Sequence, residues 1–178
     1  MKLNDHGVSV VEFALLLPLL IVLVFGIIEF SRALFTNNAI INVSREGANL
    51  ATRTSTQTPE ILNAVARTAR QVDMRNAAMI YLTRIIENDG VAQVTEQYRW
   101  TGSQMGSPPD SSVWPCNRPW DSGRCRIQNP LNPSRPANIS LTLNPNEEII
   151  AVEVFYRYEP IFNNFFGRTR LLYSATVL

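Results

Sequence analysis

The residues able to do chemistry in this chain are few and poorly placed for catalysis. His6 is the single histidine and Lys2 the single lysine, and both precede a long apolar run. A histidine or lysine base for a nucleophilic serine or cysteine is therefore confined to the first six residues. Cys116 and Cys125 lack the C-x-x-C spacing of a redox pair, and no histidine stands near them to complete a zinc site. Gly102, Gly106 and Gly123 lie in turn-rich sequence without phosphate-loop spacing. Glu147 and Glu148 are adjacent carboxylates, but they follow Pro145 and read as a solvated turn at the entry to a strand. The expectation is no catalytic residue, no metal ligand and no cofactor: the chain is not an enzyme. The 178 residues carry a net charge of +1, with basic residues scattered among acids, so no nucleic-acid-binding surface is expected.

One acid is out of place. The stretch HGVSVVEFALLLPLLIVLVFGIIEF, residues 6–30, is apolar and of membrane length, and Glu12 sits near its front. Residues 13–28 hold no charge and would cover roughly 24 Å as a helix, and residues 8–30 roughly 35 Å, against a hydrocarbon core of about 30 Å. Three elements could present such a run: a core helix of a soluble domain, a removable secretory signal, or a retained membrane helix. A signal peptide has a shorter apolar core and a small-residue cleavage site, and the sequence that follows, GIIEFSRALF, has no clean A-x-A. The retained helix fits best. Within it Glu12 is either a lone acid among lipid headgroups or a charge with a partner in an assembly. If the chain is cut between Gly7 and Val8, the Val8 ammonium of one subunit can meet Glu12 of its neighbour. At about 4 Å and an effective dielectric of 20 that attraction is on the order of 4 kcal/mol, enough to offset burial of one acid and to set a stagger. Pro18 removes one backbone hydrogen bond inside the run and predicts a bend or local unwinding near residues 14–18.

A short polar leader ending in Gly7, an apolar stretch, and Glu as the fifth residue after the glycine resemble the signal of type IV pilins and pseudopilins. More narrowly, V-E-F-A-L-L-L-P, then F-G-I-I-E-F-S-R-A-L, then S-R-E-G-A, within residues 7–51, resemble the TadE-like family of minor pilins from tight-adherence (Flp) pilus systems. The resemblance implies a leader, residues 1–7, removed by a membrane prepilin peptidase, with Gly7 and Val8 flanking the cut. It also implies that Glu12 and Phe13 serve assembly. The mature chain would then contain no histidine or lysine. The implied partners are the peptidase, other pilins and minor pilins, the pilus assembly platform and membrane lipid. The implied place is the bacterial inner membrane, single pass, with a cytoplasmic N-terminus and a periplasmic domain that reaches the extracellular pilus on assembly. Asp5 offsets Lys2, so the charge asymmetry that orients a membrane helix is weak here, and orientation rests partly on the resemblance.

The elements that must carry these residues follow from periodicity. The membrane helix, residues 8–30, is expected to continue to about residue 52 with a packing face that includes Ala33, Leu34, Ile40, Ile41, Ala48 and Leu50. A polar turn before Pro59 leads to a second helix over 59–88, with Ile61, Val65, Ala69, Val72, Ala77, Ile80 and Ile85 on one stripe and Arg67, Arg70, Arg75 and Arg84 solvated. Beyond Gly90 the pattern alternates: Ala92, Val94, Tyr98 and Trp100; Ile139, Leu141 and Leu143; Ile150, Val152, Val154, Tyr156 and Tyr158; then a last strand over 171–177. Residues 101–137 form a long loop rich in Pro, Gly, Ser and Asn. The fold class is α+β, with helices on one face of a small antiparallel sheet and residues 31–178 as the exported pilin-like domain. In an oxidising compartment Cys116 and Cys125 are expected to join, with Trp114 and Trp120 over the bridge, in a loop without other apolar anchors. Two functions fit: a minor pilin or pseudopilin that assembles or primes the pilus used for surface adherence, or an inner-membrane accessory binding module that stays out of the filament.

Overall fold

The computed structural model describes residues 5–127, 135–161 and 167–178, with side chains from Val10 onward. Helix α1 (Asp5–Arg53) is followed by α2 (Thr58–Thr68) and the single turn α3 (Met74–Ala77). The strands are β1 (Ala78–Asn88), β2 (Val91–Arg99), β3 (Trp120–Asp121), β4 (Arg124–Cys125), β5 (Glu148–Tyr158) and β6 (Arg170–Val177). They form one antiparallel sheet in the order β3-β4-β2-β1-β5-β6. This is an α+β fold.

The distal half of α1 is the spine of the domain. Ile40, Val43, Ser44, Gly47, Ala48 and Ala51 are buried and recur at helical spacing. They lie on β5 and β6. Leu34 faces outward, so the packing face is rotated from the expected one. The approach is closest at Gly47, where an added Cβ would stand 3.1 Å from Cγ1 of Val152. Ser44 Oγ bonds Ser174 Oγ at 2.9 Å and Thr176 Oγ1 at 3.0 Å, which fixes the helix along the edge strand. The α2 residues Ile61, Leu62, Val65 and Ala66 close the same core over Ile80, Leu82, Val152 and Val154.

The expected helix over 59–88 is overturned. α2 ends at Thr68, Asp73 caps α3 by accepting from Asn76 N at 3.1 Å, and Ala78 onward is strand. β1 lies between β2 and β5, buried on both faces, so the alternation that marks a half-exposed strand is absent. Ile80 points to the helices and Ile85 to the opposite cluster. Pairing also shifts between Arg84 and Ile85 opposite β2. That bulge leaves Ala92 and Val94 on the face away from the helices and turns Tyr98 toward them, so these residues do not share the one face that their alternation implied. Residues 139–143 are not a strand. Ile139 and Leu143 pack as partly buried cover on the second cluster, and the neighbouring ladder is one bridge, Gln93 to Pro136. Arg67, Arg70 and Arg75 are exposed, whereas Arg84 lies in the sheet and pairs with Glu148 at 3.2 Å and with Glu96 at 3.8 Å.

Within the loop expected over 101–137, residues 128–134 lie outside the described residues, and the rest has more structure than expected. Residues 101–127 carry the β3–β4 hairpin and form a third layer on the face of the sheet opposite the helices. Met105 packs with Met79, Tyr81 and Phe155, and Val113 with Ile85, Val94 and Ala151. It therefore has apolar anchors of its own.

Candidate functional site

The residues singled out by sequence fall into two groups that the fold keeps apart. Gly7, Val8, Glu12, Phe13 and Pro18 all lie on the proximal half of α1. From Val10 to Phe30 its large apolar side chains other than Phe25 are largely exposed, and this stretch is long and apolar enough to cross a membrane once. Glu12 is exposed and makes no ion pair among the described residues. Phe13 is exposed beside it. The helix runs unbroken through Pro18, without the local unwinding expected near 14–18. Proline costs the helix one backbone bond and crowds the carbonyl four residues back, a disturbance that membrane helices tolerate through local adjustment.

The apolar half of α1 ends at a residue that sequence reasoning passed over. Glu29 is 6% exposed and lies where the helix meets the domain. Its carboxylate accepts from the Tyr158 hydroxyl and, at 3.0 Å, from Ile161 N. Tyr158 also reaches the Glu29 carbonyl at 3.3 Å. Arg32 stands 3.8 Å from the same carboxylate, with its guanidinium 5.9 Å from the centre of the Tyr158 ring. Burial, reinforced by the hydrogen bond to Glu29, pushes the Tyr158 hydroxyl up to about 12. This clasp ties the end of β5 to the helix at the point where the uncovered apolar surface gives way to the domain. The available signal was an acid closing an apolar run, in the Gly26-x-x-Glu29 spacing.

A second buried acid holds the opposite layer. Glu153, fully buried in β5, accepts from Ser111 Oγ, from Ser112 N at 2.9 Å, from Val113 N at 3.3 Å and from the Tyr173 hydroxyl at 3.0 Å. Burial and the nearby Glu153 charge raise Tyr173 to about 12. Its signal was a lone acid inside the strongest strand pattern of the chain.

Cys116 and Cys125 are joined, with Cα atoms 6.2 Å apart, and Cys125 pairs with Trp120 across the β3–β4 hairpin. Trp120 lies against Tyr81 and under the Arg99 guanidinium, 4.8 Å from its ring centre, while Trp114 packs into the second cluster. Beside the hairpin a shallow cleft is lined by Arg84, Glu96, Arg124 and Glu148, whose charges are spent on one another: Arg124 meets Glu96 at 2.6 Å and Arg84 meets Glu148. No group of three or more His, Cys, Asp or Glu placed to hold a metal occurs among the described residues.

The geometry is that of a bare apolar helix fixed to a packed domain at its far half. Residues 7–49 match the family model of TadE-like proteins. The match takes in the proximal half of α1, the Glu29 position and the Ser44 and Gly47 contacts, and stops short of α2 and the sheet. No curated protein and no solved structure matches the chain. Over residues 7–49, then, the chain is similar to TadE-like proteins, a family that implies involvement in Tad pilus systems, and the same segment lies on its one candidate membrane helix among the described residues.

Proposed function

We propose that the protein is a minor pilin or pseudopilin that takes part in assembling or priming a Tad pilus. The observation that carries this reading is the contrast within α1. Its distal half is buried on the sheet, while its proximal half from Val10 is largely exposed and bears Glu12, which makes no ion pair among the described residues. A subunit of this form packs into an array through that helix, with neighbouring helices covering the apolar surface and a neighbour's Val8 amine neutralising Glu12. The pairing requires cleavage between Gly7 and Val8 by a prepilin peptidase. The domain then faces outward from the inner membrane and enters the filament with other pilins through the assembly platform. The chain acts as a subunit, not as a catalyst.

The N-terminal mass of the protein purified from cells making the pilus tests this directly. A mature chain starting at Val8 supports the reading, and one retaining Met1 overturns it. Glu12→Ala is expected to leave membrane insertion intact, because a cost of burial is removed, and to reduce piliation. Recovery of the protein in sheared filaments distinguishes a filament subunit from a membrane-retained accessory module.

A further inference from the structure

We propose that the rim of the domain around Tyr158 is a docking surface for anionic lipid headgroups, and that it seats the domain on the leaflet from which α1 emerges. This rests on the reading of α1 as a membrane helix.

The rim is fixed in height by the clasp. Tyr158 bonds Glu29, where the apolar half of α1 ends. Arg170 is the Cα partner of Tyr158 across the β5–β6 ladder, and Arg32 stands over the Tyr158 ring from the helix side. Arg168 precedes Arg170 by two residues and is exposed, as are Arg170 and Arg32. Arg32 and Arg170 thus flank one tyrosine at the helix exit, with Arg168 close by in sequence. Among the described residues Arg168 and Arg170 have no ion-pair partner, whereas Arg32 stands beside the Glu29 carboxylate at 3.8 Å. Two further acids, Asp73 and Glu159, share the helix side of this end, so the free positive charge is that of Arg168 and Arg170. Apolar side chains stand among the charges: Ile161 is 56% exposed, Leu171 51% and Phe30 65%. Exposed basic residues with exposed apolar neighbours are the composition of a surface that meets headgroups.

The length of the uncovered helix points the same way. From Val10 to Phe30 the exposed apolar stretch rises roughly 30 Å, the thickness of a hydrocarbon core of about 30 Å, so a helix that spans the core brings Glu29, Arg32 and the rim to the headgroups.

The test uses the full chain in nanodiscs of phosphatidylcholine, alone or mixed with phosphatidylglycerol. Because the native cysteines are bonded to each other, Thr169→Cys accepts a single fluorophore between the two arginines, and a headgroup-nitroxide lipid reports its proximity. Stronger quenching in the anionic discs is expected, weakened by salt and by Arg32→Gln, Arg168→Gln and Arg170→Gln together. The ratio of docked to free domain should fall roughly fivefold for each arginine removed. A charge-matched control, Arg45→Gln with Arg53→Gln and Arg118→Gln, should keep the quenching. Equal quenching in neutral and anionic discs, a triple variant quenched like the native chain, or equal loss in the control overturns the proposal. Flotation with vesicles separates this from failure of the membrane reading, since a chain that does not float overturns both.

Discussion

Glu29 and Glu153 are carboxylates whose oxygens are filled by donors from distant parts of the chain, and each should be costly to alter. Glu29→Gln keeps one acceptor but turns an NH2 group toward Tyr158 or Ile161 N, at a cost of about 1–3 kcal/mol. Tyr158→Phe, which leaves the buried Glu29 carboxylate short of one donor, should cost a similar amount, about 1–3 kcal/mol. Thermal unfolding of the full chain in detergent, followed by near-UV circular dichroism, checks the order of these effects. Glu153→Gln should exceed Glu29→Gln, because four donors converge on Glu153. An unchanged midpoint for either variant would show that its carboxylate does not hold the layers together. Both acids were visible in the sequence as lone charges in apolar runs. Their partners were not, because Tyr158 and Ser111 are remote along the chain and only the fold brings them near.

The helix–sheet seam at Gly47 makes its prediction at the level of elements. Gly47→Ala places a methyl 3.1 Å from Val152 Cγ1, and this crowding is set against a gain in helix propensity of about 1 kcal/mol, so little net change is expected. Gly47→Leu has no such compensation. Val152 is fully buried and cannot retreat, so overpacking should cost about 1–3 kcal/mol, read as a lowered midpoint in the same unfolding assay. The disulfide has a similarly local reach. Met105 and the Glu153 bonds to 111–113 hold the start of the long loop without it, so reduction should loosen the β3–β4 hairpin alone. Hydrogen exchange should speed up at Arg99 N and Arg126 N, which bond the hairpin at Gly123 and Pro119, and stay slow across β1 and β5. The distal half of α1 was legible from its helical period, and β5 from the alternating Ile, Val and Tyr that mark a strand even though both its faces are buried. β1 was not, since its two-sided burial comes with Ala, Met, Leu and Arg in an apolar run that fits a helix equally well. The bulge opposite Arg84 spoiled the reading of β2 for a related reason: a one-residue shift exchanges the two faces.

For the molecule as a whole the tyrosines set an alkaline limit. Burial raises Tyr81, Tyr158 and Tyr173 to about 12, above the usual 10 of the unfolded chain. Between pH 10 and 12 the unfolded state has lost these protons while the folded state keeps them, so stability is full below about pH 10 and falls as pH rises toward 12. Titration of the unfolding midpoint over that window should show the decline, and Tyr158→Phe should make it shallower by one proton. The division of labour along α1 also has a mechanical consequence. A force on the proximal half, along the axis of the helix, is carried by a stiff rod into the domain and meets the Glu29–Tyr158 clasp first. Beyond it the rod lies lengthwise on β5 and β6, so the contacts from Ile40 to Ala51, with the Ser44 bonds among them, are loaded in shear and must yield together. A chain built this way bears tension along its N-terminal helix without peeling its sheet apart strand by strand.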